Sequence, residues 1–213
     1  MNDQTVSVSN KVRNLGVQMD SNLLMDQQIS QIRQSCFFEL RKISQLRPYL
    51  SKEVTNKLVC SFVLSRLDYC NSLLAGLPEC KLKRLQLVQN HAARLVTKSR
   101  IRDHISPILH DLHWLPVQKR INYKISTIAY QCLHDPLYPE YLRDCVTPYV
   151  PSRSLRSSQQ NLLVKPKIKI SYGERTLMYQ SALVWNSLPE NIKSAESLPS
   201  FKKKLKTFLF SAP

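Results

Sequence analysis

Residues 29–48 read ISQIRQSCFFELRKISQLRP, and this stretch sets the fold class. Its apolar side chains recur every three or four positions, which is the spacing of one face of an α-helix. A proline closes the pattern because its ring cannot continue a helix. The stretch therefore predicts an amphipathic helix of about 20 residues. The apolar positions are Ile29, Ile32, Cys36, Leu40, Ile43 and Leu46.

Short elements are predicted on both sides of this helix. Upstream, one strand over residues 12–19 ends at the turn-prone Asp20-Ser21-Asn22. Downstream, Ser51 is expected to cap a second helix. The apolar residues on the buried side of that helix are expected to be Val54, Leu58, Phe62 and Val63.

The rest of the chain also favours helices. Leu82, Leu85, Val88, Ala92 and Leu95 define a third helix, on which Lys81, Arg84, His91 and Lys98 share one side. Ser106-Pro107 is expected to cap a fourth helix, and residues 117–132, 174–187 and 200–210 predict three more. Residues 147–160 have a linker composition. Residues 164–170 alternate lysine with apolar residues, as an edge strand or an irregular segment does.

The expected architecture is mostly α. It is a helical bundle with a short N-terminal strand and a small C-terminal region that includes the alternating segment. The expected divisions are residues 1–20 as strand and lead-in, 21–146 as helical domain, 147–160 as linker or exposed loop, and 161–213 as a basic C-terminal region.

The composition excludes several classes of function. The chain has only 3 Gly in 213 residues, far apart, so neither a P-loop nor a dinucleotide fingerprint is present. So few glycines also argue against a turn-rich β fold. No apolar run is long enough to span a membrane, no secretory leader is visible, and the six cysteines include no C-x-x-C pair. We expect no membrane partner, reduced and buried cysteines, and an intracellular, nuclear or cytoplasmic location.

The net charge of +16 is concentrated in two segments. Residues 81–102 hold seven basic and no acidic side chains, and residues 151–213 hold eleven basic and three acidic ones. Such a concentration fits a polyanion partner, although solvated basic faces produce the same pattern.

Few residues have the sequence spacing of a catalytic or metal site. His110 and His113, with His104 nearby, allow either metal binding or an ordinary position at a helix end. Trp114 and Trp185 each precede a Leu-Pro pair, which fits core packing or a stacking platform for a base. No clustered carboxylates and no nucleophile motif are present. We expect no catalytic residue, metal or cofactor.

Several strings resemble the region that follows the polymerase core in LINE-type, non-LTR retrotransposon reverse transcriptases of the jockey-like and chicken-repeat clades. They lie in the same order over nearly the whole chain: SRLDYCN (65–71), LQLVQN (85–90), LHWLPV (112–117), PYVPSRSLR (148–156), WNSLP (185–189) and FKKKLKT (201–207).

The resemblance implies that Asn14-Leu15-Gly16-Val17 is the last palm strand and that the helices are the thumb and the post-polymerase region. The family's catalytic palm motif and its endonuclease are not among these residues, so the expectation is a catalytically inactive fragment. A thumb grips RNA or an RNA/DNA duplex without sequence preference, and the rest of the polymerase is a further expected partner.

The residues expected to contact phosphate are Lys81, Lys83, Arg84, Arg94, Lys98, Arg153, Arg156, Lys202, Lys203, Lys204 and Lys206, with Lys167 and Lys169 as weaker candidates. Two alternatives stay open: a helical module for protein contacts, and a non-functional remnant of a decayed element.

Overall fold

Most of the described chain is helical, in a computed structural model that describes residues 9–151 and 160–211. The predicted mostly α fold is confirmed. The helices are α1 (Asp26–Leu46), α2 (Lys52–Val59), α3 (Ser65–Asp68), α4 (Glu79–Thr97), α5 (Ile105–Asp111), α6 (Val117–His134), α7 (Glu140–Arg143), α8 (Leu177–Asn186), α9 (Glu190–Lys193) and α10 (Leu198–Ser211). Short 3₁₀ turns cover Arg47–Tyr49, Asn71–Leu74 and Gly173–Arg175.

The N-terminal apolar stretch is a hairpin and not the single strand that its sequence predicts. Strands β1 (Lys11–Asn14) and β2 (Val17–Asp20) pair antiparallel, with Val12 opposite Met19. The two residues between them, Leu15 and Gly16, have φ values of 46° and 83°. Two consecutive residues with positive φ are typical of the tight turn that matches the twist of a hairpin. The turn at Leu15 and Gly16 therefore divides the predicted single strand into two.

Asp20 connects the hairpin to α1. Its two carboxylate oxygens accept hydrogen bonds from the backbone N–H groups of Leu24 and Met25, each at 2.8 Å. These donors lie just before the first turn of α1, where N–H groups lack partners within the helix. The predicted turn after Asp20 is therefore present, and it leads directly into α1.

The second helix differs in its buried face. Ser51 caps it as predicted, with its hydroxyl accepting from Val54 N at 3.3 Å. However, a π-helical turn at Cys60–Leu64 joins α2 to α3, and Val54 and Phe62 are exposed. A π-turn inserts about one extra residue into a helical turn, so it changes the direction of Phe62 and of the side chains after it, but not that of Val54, which precedes it. The buried apolar residues are Val59, Val63, Leu64 and Leu67.

Three further element boundaries differ from the prediction. Helix α5 starts at Ile105 without a side-chain cap, so Ser106-Pro107 lies inside its first turn. Residues 164–170 form no strand, and the pairing near them is one isolated bridge between Pro148 and Leu163. Pro166 lacks the N–H that a strand needs at that position. Helix α8 starts at Leu177 because the preceding residues form a 3₁₀ turn.

Two clusters of buried apolar residues share α6. The first cluster contains residues of α1 to α6, including Val117, Ile121 and Ile125. The second contains Ala129 and Tyr130 together with residues of α8, α9 and α10. One turn of α6 therefore separates the residues that it gives to the two clusters. At 18 residues, this helix is long enough to reach both.

A buried polar network fixes α6 against α4. Gln89 is fully buried, and its Nε2 donates to the carbonyl of Leu115 at 2.8 Å. Gln86 Oε1 accepts from the backbone N–H of Val117 at 2.8 Å. That N–H belongs to the first turn of α6, which has no helical partner for it. Gln86 of the LQLVQN string thus caps α6, and Gln89 of the same string holds the LHWLPV string just before that helix.

Both tryptophans are buried, which confirms core packing and contradicts the stacking platform. Trp114 lies in the first cluster and Trp185 in the second. The indole N–H of Trp185 donates to Asn161 O at 2.8 Å, as a buried indole requires.

The cysteines are only partly as predicted. All six are free thiols, and Cys36 and Cys132 are buried, but Cys80 is exposed. Burial raises the pKa of Cys36 and of Cys132 to about 11, so both remain thiols at neutral pH.

In the part of the chain that the structure describes, no helix is long and apolar enough to cross a membrane.

Candidate nucleic-acid interface

The basic side of α4 lies against α1. The ammonium group of Lys81 donates to Leu24 O at 2.8 Å and to Asp26 Oδ2 at 2.9 Å. Its side chain is only 15% exposed. Lys81 therefore closes the start of α1, where its charge offsets that of Asp26. A phosphate reaching Lys81 would have to displace both contacts.

Two further residues of the predicted basic side follow the same line of contact. Arg84 donates to Ser30 Oγ at 3.2 Å and lies 3.8 Å from Asp26 Oδ1. The ring of His91 meets that of Phe37 edge to face, with centroids 5.4 Å apart. Because residue numbers rise together on both helices, α1 and α4 run in the same direction. The shared side predicted for α4 is real, and it borders a neighbouring helix.

The other predicted cations of α4 have different surroundings. Lys83 is exposed and lies 3.2 Å from Glu79, one turn earlier. Arg94 donates to the carbonyls of Arg100 and Asp103, so it holds the loop after the helix. Lys98 is exposed at the end of α4 with a left-handed backbone. Of the five residues predicted here, Lys83 and Lys98 are therefore the most open to solvent.

Helix α10 carries four of the predicted cations and no acidic residue. Its buried side consists of Phe201, Leu205 and Leu209. Lys202 is half-buried, whereas Lys203, Lys204 and Lys206 are exposed. Lys204 donates to Asn191 O at 3.2 Å, and Lys206 Nζ lies 5.9 Å from the ring centre of Phe210. The predicted Arg153 and Arg156 lie outside the described residues.

A polar cleft of about 330 Å³ lies where α10 meets the start of α6, and its lining brings together residues distant in sequence. Lys206 comes from α10, and Arg120, Tyr123 and Lys124 come from α6. The SRLDYCN string supplies Asp68 and Asn71, and the LHWLPV string supplies His113 and Leu115.

Arg120 is held rigidly at this cleft. Its Nε donates to Leu115 O at 3.0 Å, and Nη1 bonds Asp68 Oδ2. Only 16% of its side chain is exposed. Because a guanidinium carries five N–H donors, these two bonds fix its plane without exhausting it. Arg120, Lys124, Asp68 and Asn71 are not among the predicted site residues, because they lie in separate parts of the sequence and only the fold brings them together.

His113 stands at the cleft with a φ of 55°. Its N–H donates to His110 O at 2.9 Å, and Trp114 N–H donates to Leu109 O at 2.9 Å. These two bonds form a Schellman motif, which ends α5 and usually has glycine at this position. The left-handed turn places Trp114 in the core and His113 at the surface.

A second cleft of about 430 Å³ lies beside the first. Its lining includes His110 and Phe210, whose rings meet edge to face at 5.7 Å. The C-terminal half of α10 therefore contributes to both clefts, with Lys206 in the first and Leu209 in the second. Within residues 9–151 and 160–211, no three His, Cys, Asp or Glu side chains lie close enough to hold a metal ion.

Comparisons of the chain with protein-family models, with curated proteins and with solved structures find no match.

Proposed function

We propose that this chain binds nucleic acid without sequence specificity, through the exposed lysines of α10 and the neighbouring basic cleft. The observation that supports this most is the charge of α10. Three exposed lysines follow one another within four residues, and the helix has no carboxylate to neutralise them. Its apolar side is buried, so the outer side is fixed in place. Lysines held in this way contact backbone phosphates and do not read bases.

The proposal includes an origin in the region after the polymerase core of a LINE-type reverse transcriptase, with binding and not catalysis as the role of this segment. Its support is the set of strings quoted above. In the structure two of them, SRLDYCN and LHWLPV, line one cleft. In that setting the ligand is RNA or an RNA/DNA duplex, and the remaining polymerase is a partner.

The structure changes the weight of the predicted contacts. Lys83, Lys98, Lys203, Lys204 and Lys206 are exposed and are retained as phosphate contacts. Lys81, Arg84 and Arg94 are only partly exposed and bond protein groups, so we assign them a structural role first.

Titration of the full chain with single-stranded RNA and with an RNA/DNA duplex at several salt concentrations tests the proposal. If six phosphates are engaged, log K against log salt has a slope of about −4 to −5, at roughly 0.7–0.9 per contact. No binding at low salt, or a slope near zero, would overturn the proposal.

A charge-matched pair of variants locates the surface. The triple variant Lys203→Glu/Lys204→Glu/Lys206→Glu should lower affinity at least tenfold and reduce the slope by about 2 to 3. The control Arg41→Glu/Lys52→Glu/Lys57→Glu changes net charge equally on exposed positions of α1 and α2. Equal losses in the two variants would show that net charge, and not α10, determines binding.

A second candidate function is protein contact through the hairpin. All four residues of β1 are exposed, and Val12 and Leu15 present apolar side chains to solvent. Tyr69 holds the turn by donating to Leu15 O at 2.6 Å. A free strand edge of this kind can accept a strand from a partner. A strictly monomeric chain across concentrations in size-exclusion chromatography would count against self-pairing at this edge.

A further inference from the structure

The cleft between α6 and α10 has a net positive charge, which bears on the kind of anion that fits it. Arg120, Lys124 and Lys206 contribute three positive charges, and Asp68 contributes one negative charge. These four side chains together carry a net charge of +2. A phosphate monoester carries about −1.5 to −2 at pH 7, whereas a backbone diester carries only one charge. The lining therefore suits the doubly charged group better.

Asn71 adds an observation that is independent of the charge, because it brings an unsatisfied acceptor to the lining of this cleft. Its side chain is only 4% exposed, and its Oδ1 is buried with no hydrogen-bond partner. Leaving a buried polar group unsatisfied is unfavourable, and such groups in native structures call for an explanation. A carbonyl oxygen accepts hydrogen bonds, so the group that would satisfy it is a hydroxyl or an amine and not a phosphate oxygen.

Tyr123 completes the polar lining. Burial raises the pKa of its hydroxyl, so the phenol stays protonated at neutral pH and remains able to donate. The volume of about 330 Å³ lies at the lower end of ligand pockets, which span about 300–1,000 Å³. The cleft therefore offers cationic side chains for an anion, a hydrogen-bond acceptor for a hydroxyl or an amine, and room for one small molecule.

We propose that this cleft binds the phosphate monoester of a nucleotide. The phosphate contacts Arg120, Lys124 and Lys206, while a sugar hydroxyl or a base amine donates to Asn71. The ligand is either a free mononucleotide or the 5′-phosphorylated end of a strand, and for the strand end the inference rests on the proposed nucleic-acid binding. It adds recognition of a terminus to contacts that are otherwise made with the backbone.

Two oligonucleotides of one sequence, with and without a 5′-phosphate, test the inference on the full chain. We expect the phosphorylated strand to bind about tenfold more tightly, because charge-assisted hydrogen bonds form only with it. Adenosine 5′-monophosphate should compete for this gain if the cleft also takes the free nucleotide. Its failure to compete, with the gain retained, would assign the cleft to strand ends alone.

A matched pair on α10 assigns the effect to the cleft. Lys206→Met should abolish the preference for the 5′-phosphate, because Lys206 lines the cleft. Lys203→Met removes the same charge one turn away, from a residue that lines a different cavity. As a backbone-phosphate contact it should weaken the binding of both strands alike and leave the ratio of their affinities unchanged. Loss of the preference in both variants would overturn the assignment.

Asn71→Leu tests the neutral contact. It removes the acceptor at similar volume, so we expect weaker binding of adenosine 5′-monophosphate and unchanged binding of inorganic phosphate, with thermal unfolding confirming the fold. The inference would be overturned if the two oligonucleotides bound with equal affinity and adenosine 5′-monophosphate did not compete. In that case salt-dependent binding of both strands would still support the proposed function. If no strand bound at low salt, the proposed function would fail, and calorimetric titration with the mononucleotide would decide the cleft alone.

Discussion

Non-glycine residues carry left-handed backbone in this chain at positions where proteins usually place glycine. Cys70, Lys98 and His113 have φ values of 51°, 57° and 55°, and Lys98 and His113 follow the ends of α4 and α5. A side chain in this region costs roughly 1–2 kcal/mol because its Cβ approaches the carbonyl oxygen. The scarcity of glycine therefore does not remove tight turns. It means that packing elsewhere offsets the strain at each one.

Lys98→Gly should stabilise the chain for this reason. Glycine relieves the left-handed strain but is freer in the unfolded state, so the expected net gain is about 0.5–1 kcal/mol in the free energy of unfolding. Urea denaturation measures it. Lys98→Ala is the control because it removes the same charge and keeps Cβ. Equal stability of the glycine and alanine variants would show that the backbone at this position is unstrained.

At the scale of elements, the parallel pair of α1 and α4 explains why several basic residues of α4 contact protein groups. Arg47, after α1, is buried and donates to the carbonyls of Leu95 and Val96 in the last turn of α4. Lys81 makes the corresponding contact at the other end of the pair, with Asp26 and Leu24 O. Basic side chains thus hold both ends of the two helices together. Binding to phosphate would have to compete with these contacts.

Lys81→Met should therefore affect folding more than binding. We expect a loss of about 1–2 kcal/mol in the free energy of unfolding, because Leu24 O and Asp26 lose a charged donor. A double-mutant cycle with Asp26→Asn should give a coupling energy of about 0.5–1 kcal/mol. Lys83→Met is the control: Lys83 is 66% exposed and should leave stability unchanged. A lower RNA affinity with unchanged stability in Lys81→Met would restore Lys81 to the interface.

The sequence predicted the positions of the helices better than it predicted the contacts between them. Periodicity located α1, α4 and α6 closely, because each buries a long apolar stripe. It missed the π-turn at Cys60–Leu64, which depends on tertiary contacts and has no spacing of its own. The basic C-terminal segment led to the prediction of Lys206 as a site residue. Arg120 was not predicted, because its contacts with Asp68 and Leu115 O arise only in the fold.

At the scale of the whole molecule, α6 carries the connection between the two apolar clusters. The division predicted at residue 146 falls within the second cluster, which contains Val146 from one side and Leu163 from the other. Tyr130 of α6 donates to Ala195 O at 2.6 Å and stacks on Phe201 of α10, with ring centroids 4.3 Å apart. Loss of the C-terminal helices would therefore expose the second half of α6.

The two clusters should consequently unfold together. Trp114 reports on the first and Trp185 on the second, so Trp185→Phe and Trp114→Phe each leave one fluorescent probe. In each variant, the urea midpoint from fluorescence should coincide with that from far-UV circular dichroism, because α6 cannot keep one apolar half buried while the other half is in water. Comparing the two signals within one variant removes the effect of the substitution itself. Separate midpoints would show that the clusters fold independently and that α6 transmits little stability between them.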